Sequence, residues 1–309
     1  MENKYNEYRP GILKIIHHLD YLKAVKNKEV VAPIHVSVWP TIRCQLNCSY
    51  CCCRNVPIRE GEINLLDFKS AVDVLSKYGT KAIEFSGGGE PLLWSHLEEA
   101  VNYLHHKNIK ISLITNGIAL NNASKNMLSK FSWLRISINS LKNAEKIKFD
   151  DIPTKYSASY IVSENNINDL KNLYDFAKSK NLIVRIAVQR PATKEFDEKV
   201  ENLIKDLGDP LFFAKKETGT PLGCYMAWVR AAIDWKGNFL PCPSIQLNLN
   251  SEGKIPDDFI LCHITKLEEW LLKNTPHDLG YKCEFCNCGK EHNDLIYNLQ
   301  KGVNDVDFV

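Results

Sequence analysis

Three cysteines lie close together near the start of the chain, Cys44, Cys48 and Cys51, with the spacing CxxxCxxC. Three thiolates on one short loop can ligate three irons of a 4Fe–4S cluster, which leaves the fourth iron open to a small chelating molecule. A structural zinc site is the alternative, although zinc usually takes a fourth Cys or His and more often uses CxxC pairs. Cys52 and Cys53 fall outside the spacing, and we expect them to be packing residues.

A second group of cysteines predicts another metal site in the last third of the chain: Cys224, Cys242, Cys283 and Cys286. The first two flank the segment 234–239, where Lys-Gly-Asn predicts a hairpin turn between two short strands. A hairpin brings its two ends together, and the CxxC formed by the last two cysteines would complete a set of four ligands. Such a site would be a fully ligated iron–sulfur cluster or, alternatively, a structural zinc site.

Three other side chains could replace one of these four ligands. Cys288 could take the place of Cys286, and His263 or His292 could also substitute. The CxxC pair is preferred because its spacing is the one that metal sites use most often.

A glycine-rich segment follows the second apolar run of the chain. The strand-like residues 82–85 lead into Gly87, Gly88, Gly89 and Glu90. Consecutive glycines let a bound molecule approach main-chain N–H groups without obstruction by Cβ atoms, and Glu90 could pair with an ammonium group. An ordinary glycine turn is the alternative. Because this segment comes one βα unit after the cysteine triplet, we expect both to lie on the same rim of the fold.

The composition excludes several classes of protein. The chain has 309 residues, and 39 Lys and Arg against 37 Asp and Glu give a net charge of +2, which argues against nucleic acid as the partner. Apolar residues at 44% and charged residues at 25% are typical of a globular protein. No apolar run approaches the ~18 residues that a membrane span needs, and the first residues do not form a signal peptide. Eleven cysteines in such a chain indicate metal binding in a reducing compartment, so we expect a cytoplasmic protein.

The periodicity of the apolar residues predicts an α/β fold. Apolar runs predict strands at 34–39, 82–85, 110–115, 134–138, 156–162 and 183–188. Helical periodicity predicts helices at 65–78, 95–107, 121–130, 142–148, 166–180 and 194–207. Strands that alternate with amphipathic helices form βαβ units around a parallel sheet. Six units are too few for a closed eight-fold barrel and indicate a partial (β/α)6 barrel.

Three regions are therefore predicted along the chain. Residues 1–33 contain a preface helix, with apolar residues at helical spacing over 12–31. Residues 34–207 form the partial barrel. Residues 208–309 contain a linker, a small cysteine-rich domain built on the β-hairpin, and a C-terminal tail.

The chain resembles the radical S-adenosylmethionine (SAM) superfamily over residues 30–207. The resemblance rests on the CxxxCxxC triplet, the sequence Gly-Gly-Glu-Pro at 88–91 and the six-fold αβ pattern. It implies that SAM chelates the open iron of a 4Fe–4S cluster through its amino and carboxylate groups. An electron from the reduced cluster then breaks the sulfonium C–S bond and yields methionine and a 5′-deoxyadenosyl radical, which abstracts a hydrogen atom from a substrate.

The same resemblance implies a set of SAM-binding residues. They are Tyr50 against adenine; Gly88, Gly89 and Glu90 at the methionine end; Thr115 and Asn116 in a rim motif; and Ser137 and Asn139 at the ribose or methionine carboxylate. Many members have Asp where Asn139 stands. Ordinary strand-end capping is the alternative for Thr115, Ser137 and Asn139.

The second cysteine group resembles the twitch, or shortened SPASM, domains of some radical SAM enzymes. Only six cysteines follow residue 200, so the resemblance implies one auxiliary 4Fe–4S cluster that oxidises the substrate radical. One alternative is a redox-neutral epimerase in which Cys262 donates a hydrogen atom, and burial of that thiol is the simpler interpretation. Another alternative is a zinc-stabilised binding module without catalysis. The expected partners are a small polar molecule or a peptide as substrate and a flavodoxin or ferredoxin as electron donor.

Overall fold

The computed structural model describes residues 12–57, 59–214, 220–280, 283, 286 and 289–301. The strands are β1 (His35–Val38), β2 (Ala82–Phe85), β3 (Lys110–Thr115), β4 (Trp133–Ile138), β5 (Tyr156–Val162), β6 (Val184–Val188), β7 (Leu211–Phe213), β8 (Arg230–Ile233), β9 (Asn238–Leu240) and β10 (Cys262–His263). The helices are α1 (Leu19–Lys26), α2 (Leu65–Lys77), α3 (Leu97–His106), α4 (Lys125–Leu128), α5 (Leu141–Ala144), α6 (Leu170–Ser179), α7 (Lys194–Leu207), α8 (Met226–Val229), α9 (Leu267–Lys273) and α10 (Lys290–Lys301).

All of these strands belong to one open sheet with the order β10-β9-β8-β1-β2-β3-β4-β5-β6-β7. From β1 to β7 every neighbouring pair is parallel, and a helix lies between each pair along the chain. Parallel neighbours joined through helices are βαβ units. The predicted α/β fold with a partial barrel is therefore confirmed.

Caps and apolar stripes explain why the crossover helices form where they do. α2 begins after Asn64, whose side chain accepts hydrogen bonds from the main-chain N–H groups of Leu66 and Asp67. Its buried residues recur at helical spacing and face the sheet: Phe68, Ala71, Val72 and Leu75. α7 begins with an equivalent bond to the hydroxyl of Thr193 and ends at Gly208, where φ is +71°.

The two faces of the sheet differ in chemistry. On one face, buried apolar residues of successive strands, such as Val36, Ile83 and Leu134, pack under the helices in the largest core cluster. On the other face, the residues paired across neighbouring strands are mostly polar. We call this second surface the polar face; its polar residues are His35, Ser37, Glu84, Lys110, Ser112, Arg135, Ser137, Ser157, Ser159, Arg185 and Arg230.

The predicted hairpin in the C-terminal region is confirmed. β8 and β9 pair antiparallel, and the buried carboxylate of Asp234 accepts hydrogen bonds from the N–H groups of Lys236 and Asn238 in the turn. Gly237 has φ +81°, and a Cβ there would lie 2.6 Å from the His263 ring. β8 also pairs parallel with β1, so the sheet continues without a break from the barrel into the hairpin.

The predicted preface helix over 12–31 is wrong in its extent. A 3-10 helix, Ile12–His17, precedes the short α1, which ends at Lys26. Lys28 adopts φ +58°, and the Glu29 N–H bonds back to the carbonyl of Ala24, which closes the helix. The helical spacing of apolar residues in the sequence extends beyond Lys28, although the left-handed backbone at Lys28 ends the helix. Two predicted helices, over 121–130 and 142–148, likewise shrink to the single turns of α4 and α5.

None of the helices in the described part of the chain combines the length and apolar character that a bilayer-spanning segment needs.

Candidate active site

The three predicted cluster cysteines lie on the loop that follows β1, and each thiol is partly buried. Arg59 braces this loop, because its guanidinium donates to the carbonyls of Leu46 at 3.0 Å and Cys53 at 3.2 Å. Cys53 is 1% exposed and packs in an apolar cluster with Trp39 and Ile42, as expected for a packing residue. The loop is thus held at both ends while its three spaced thiols stay near the surface.

The environment of the loop favours the neutral thiol over the thiolate. Burial, and then the charges of Glu90 and Cys51, raise the pKa of Cys44. A hydrogen bond with Cys52, together with burial, raises the pKa of Cys51. A metal cation would reverse this preference, because it stabilises the ligating thiolate directly.

The donor set of the loop fits an iron–sulfur cluster in chemistry: three thiols within one turn and no competing carboxylate ligand in the spacing. Within the described residues, no three Cys, His, Asp or Glu side chains converge as a metal site, so the sulfur atoms of the triplet do not meet at one point. A cavity of about 490 Å³ opens against the loop, and Cys44, Arg54 and Arg59 are among its lining residues.

The glycine-rich segment packs against the residues that lead into Cys44. Gly89 donates its N–H to the carbonyl of Thr41, and Glu90 donates its N–H to the carbonyl of Arg43, both at 2.8 Å. A Cβ on Gly89 would lie 2.1 Å from the Arg43 carbonyl oxygen, and a Cβ on Gly88 would lie 2.9 Å from the Ile42 side chain. The expectation that these glycines expose N–H groups to a ligand is therefore wrong for Gly89, whose N–H group is bonded within the protein, as is that of the following Glu90.

Glu90 links the rims of β2 and β3. Its carboxylate is 2% exposed and accepts hydrogen bonds from the Thr115 hydroxyl at 2.6 Å and the Asn116 N–H at 2.7 Å. It also accepts from the Leu92 N–H at 3.1 Å. The Asn116 amide in turn donates to the Cys44 sulfur at 3.7 Å. Thr115, Asn116 and Glu90 thus form one network that ends at the first cysteine, and direct contact of these side chains with SAM stays a prediction.

Three further predicted SAM contacts lie at nearby strand ends. Tyr50 sits beside Cys48, and burial together with that thiol raises the pKa of the phenol. The Ser137 hydroxyl lies 3.5 Å from the Ser159 hydroxyl on the polar face. Asn139 accepts a hydrogen bond from the Asn143 side chain at 2.9 Å, so its amide is turned toward its own following helix. Their roles in SAM binding stay predictions.

The second cysteine group lies beyond β1, at the side of the sheet that carries the hairpin. The charges of Cys283 and Cys286 act on Cys224, whose pKa is raised to about 12, first by burial. Burial, and then Cys286, raises the pKa of Cys283 to about 11. Cys242 packs against the apolar cluster that contains Tyr225, the neighbour of Cys224. Cys288 lies outside the described residues.

Asp278 fixes the position of Cys224. Its carboxylate accepts the N–H of Cys224 and the N–H of Gly280, both at 2.8 Å. The carbonyl of Cys224 also accepts the Leu279 N–H at 3.0 Å. Asp278 was not found from the sequence, because it lies 54 residues from the cysteine that it holds.

His263 and His292, the possible substitute ligands, and Cys262, the possible hydrogen donor, each contact residues other than the four predicted cysteines. His263 bonds the Thr265 hydroxyl at 2.8 Å, and burial, then the charge of Arg230, lowers the pKa of His292. Cys262 pairs with Phe239 on the helix-covered face of the sheet and packs against the largest core cluster. Burial raises its pKa to about 12. That placement, on the side opposite the polar face, fits a packing residue, and the role of Cys262 as a hydrogen donor stays a prediction.

The hairpin region contacts the first cysteine loop directly. Cys52 is exposed, against the expectation that it packs, and its thiol donates a hydrogen bond to Gln246 at 3.0 Å. A Cβ on Gly253 would lie 2.2 Å from the Asn55 carbonyl oxygen, and a Cβ on Gly88 would meet the Trp235 ring at 2.9 Å. The two cysteine regions thus share a packed interface, which no local sequence signal predicted.

The polar face also carries a charged cluster around Glu84 that was not identified from the sequence. Glu84 is 4% exposed and pairs with Arg230 at 3.0 Å, while Ser37 donates to the same carboxylate at 3.5 Å. Burial opposes ionisation of Glu84, but Arg230, His35 and Arg135 together hold its pKa below the ordinary value. A sequence signal exists, since Glu84 alternates with apolar Ile83 and Phe85 within one strand.

A parallel partial barrel with a CxxxCxxC loop after its first strand defines a class of iron–sulfur enzymes. The sequence model of the Radical SAM superfamily matches residues 39–207, which is more than half of the chain. The chain belongs to the radical SAM superfamily, and the resemblance inferred from the sequence is confirmed.

Individual relatives are distant. A probable GTP 3',8-cyclase of Methanocaldococcus jannaschii is 27% identical over 205 residues, which are 55% of this chain and 65% of that protein. An S-adenosylmethionine-dependent nucleotide dehydratase of Selenomonas ruminantium is 28% identical over 163 residues, 51% of this chain and 56% of that protein. The curated relatives are matched over between 23% and 65% of their own length.

Solved structures share the fold over a larger part of the chain. Streptococcus suis SuiB superposes with a TM-score of 0.56 at 15% identity and covers 82% of this chain and 72% of its own. The enzyme anSMEcpe with bound AdoMet and a peptide superposes with a TM-score of 0.58 at 16% identity, over 78% of this chain and 80% of its own. The shared fold therefore extends beyond the segment that the family model covers.

Proposed function

We propose that the chain cleaves SAM reductively at a 4Fe–4S cluster held by Cys44, Cys48 and Cys51. When bound, the cluster and SAM supply an adenosyl radical that removes a hydrogen atom from the substrate. The observation that carries the proposal is the position of the three thiols, on one braced loop directly after the first strand of a radical SAM barrel. Membership of the superfamily supports SAM cleavage at an iron–sulfur cluster.

The residues around the loop have separate tasks in this proposal. Asn116 donates to the Cys44 sulfur and, through its main chain, is fixed by Glu90. A hydrogen bond to a ligating sulfur stabilises the negative charge on it and so affects the reduction potential. Tyr50, beside Cys48, offers an aromatic surface for adenine. Gly88 and Gly89 allow the glycine segment to approach the cysteine loop closely enough for this arrangement.

The second cysteine group is proposed to hold an auxiliary 4Fe–4S cluster through Cys224, Cys242, Cys283 and Cys286. The mutual electrostatic influence of three of these thiols and the packing of the fourth nearby support this set. A fully ligated cluster accepts one electron at a time, so it would oxidise the substrate radical rather than bind SAM. A flavodoxin or ferredoxin would supply the electron for SAM cleavage.

The substrate is proposed to be a small polar molecule, with a peptide as the alternative class. Relatives named as GTP 3',8-cyclases and as a nucleotide dehydratase support the first class. The structure of SuiB bound to its precursor peptide supports the second. The polar face, which carries charged and hydroxyl groups at alternate strand positions, suits either a small polar molecule or a polar side chain.

Anaerobic reconstitution with iron and sulfide, followed by SAM and dithionite, tests the proposed activity. We expect 5′-deoxyadenosine to form and the spectrum of the reduced cluster to change when SAM is added. The Cys48→Ala variant should give neither result, while Cys53→Ala should give both. Protein that contains zinc without iron, or that forms no 5′-deoxyadenosine after full reconstitution, would contradict the proposal.

Product mass tests the oxidative step once a substrate is turned over. Oxidation through the second cluster removes two hydrogens, so the product should be about 2 mass units lighter than the substrate. An unchanged mass with inverted stereochemistry would show a redox-neutral epimerase instead.

A further inference from the structure

Three adjacent strands bring two arginines and three serines together on the polar face. Ser137, Ser159 and Arg185 are paired in one row across β4, β5 and β6. Arg135 and Ser157 are paired in the next row of the same face, two residues nearer the amino ends of the strands. With strands about 4.8 Å apart and a rise of about 3.3 Å per residue, the Cα atoms of the two arginines lie roughly 12 Å apart.

That separation is short for two long side chains that project from the same surface. Each guanidinium reaches about 6 Å from its Cα, so both can contact one group placed over β5. Arg135 stacks across the Trp133 ring, with its guanidinium carbon 5.1 Å from the ring centroid. Stacking fixes the plane of a guanidinium, and its N–H groups donate hydrogen bonds within that plane.

The electrostatics of this surface favour a negative group. Burial first, and then the charges of Arg185 and Arg230, lower the pKa of Arg135 to about 10, against the opposite effect of Glu84. Among the described residues of the polar face, Glu84 is the one carboxylate, and its shortest ionic contact is to Arg230. Two guanidiniums that repel each other in a partly buried site gain most from an anion that accepts hydrogen bonds from both.

We propose that Arg135 and Arg185, together with the hydroxyls of Ser157 and Ser159, bind an anionic oxygen group of the substrate, a phosphate or a carboxylate. The proposal rests on the proposed function, since it assigns the substrate class of that same active site. Guanidinium forks match the geometry of both anions, and serine hydroxyls supply additional donors. Arg230 is not included, because its ion pair with Glu84 already fixes it on the other side of the face.

Titration calorimetry tests the site with small anions in place of the substrate. Inorganic phosphate and malonate are titrated separately into the anaerobic, reconstituted protein at constant ionic strength set with chloride. We expect saturable 1:1 binding of at least one of them. Phosphate binding alone indicates a phosphorylated substrate, and malonate binding alone indicates a carboxylate.

Two variants and a control separate this site from general charge effects. Arg185→Gln should weaken anion binding by about 10-fold or more, the loss expected for one charge-assisted hydrogen-bonded pair. Arg185→Lys, which keeps the charge and the fold but loses the planar fork, should weaken binding less than Arg185→Gln does. Lys171→Gln removes an exposed charge from α6 and should leave binding unchanged. Equal weakening by Lys171→Gln, or no saturable binding to the wild type, would overturn the proposal.

A further arm with SAM distinguishes the substrate from the carboxylate of SAM itself. If the site serves the substrate, the anion and SAM bind together, and Arg185→Gln still forms 5′-deoxyadenosine from SAM and dithionite. Competition between SAM and the anion would overturn the assignment to substrate. Failure of the proposed function would show instead as absence of 5′-deoxyadenosine from every variant, whatever the calorimetry gives.

Discussion

The two cysteine regions are built in different ways. The first places Cys44, Cys48 and Cys51 on one loop after β1, with bracing from Arg59. The second collects thiols from before α8, after β9 and close to α10, and depends on Asp278 to hold Cys224. A ligand set within eight residues is specified locally, whereas a set that spans many tens of residues exists only when the fold is complete.

The largest expected effect comes from removing one ligand of the local set. Cys48→Ala should reduce 5′-deoxyadenosine formation by more than about 100-fold, because even changes behind the ligands of a metal cost about 10–100-fold. Iron content should fall by about four atoms per chain. Iron analysis and a chromatographic product assay measure these two effects. A Cys48→Ala variant that still cleaves SAM would show that the first region does not hold the cluster that cleaves SAM.

The next effect comes from the glycine that supports the first loop. Gly89→Ala places a Cβ against the Arg43 carbonyl and should destabilise the fold by about 3 kcal/mol, with loss of SAM cleavage. Gly79→Ala is the matched control: its Cβ meets nothing within 4 Å, but φ is +106°. It should cost about 1–2 kcal/mol and keep SAM cleavage. Equal effects of the two substitutions on cleavage would show that close packing at Gly89 is unimportant.

A ligand of the second region should be separable from the first. Cys224→Ala should lose about four irons and the oxidised product while it still forms 5′-deoxyadenosine. Cys262→Ala should keep both clusters, because that thiol packs on the helix-covered face. If Cys224→Ala abolishes SAM cleavage as completely as Cys48→Ala does, the two regions act as one site.

A smaller effect is expected at the residue that positions Cys224. Asp278→Ala removes the acceptor for the Cys224 N–H and should speed iron release from the second site to a chelator by about 10-fold. Asp278→Asn keeps an acceptor oxygen and should recover most of this loss. The rate of iron release from the first site should not change. An equal increase at the first site would contradict the view that the two sites are stabilised independently.

The smallest effect is expected at the contact between the regions. Gln246→Ala removes the hydrogen bond from Cys52 and should lower the free energy of unfolding by about 1 kcal/mol, with little change in either cluster. Denaturant titration measures the loss. A fall in SAM cleavage greater than the fall in stability explains would show that the interface also affects catalysis.

Much of the fold and the first site could be predicted from the sequence because the signals are local. The alternation of apolar strands with amphipathic helices identified six of the seven consecutive parallel strands, β1 to β6, and Lys-Gly-Asn located the hairpin. The seventh, β7, was missed because it has only three residues and lies in the segment predicted as a linker. The end of α1 was missed because the positive φ of Lys28 has no local sequence signal. The role of Gly89 depends on the main chain of Arg43, 46 residues away, and a sequence pattern contains no such distance.

The parallel pairing of β1 with β8 has a consequence for shortened chains. The segment that the family model matches, residues 39–207, leaves out both of these strands. A chain that ends at 207 would keep β1 but lack β8, so β1 would become an edge strand. The N–H and C=O groups of His35–Val38 that face β8 would then be unpaired and could pair with a strand of another polypeptide. The barrel and the hairpin region should therefore be expressed, purified and unfolded as a single unit.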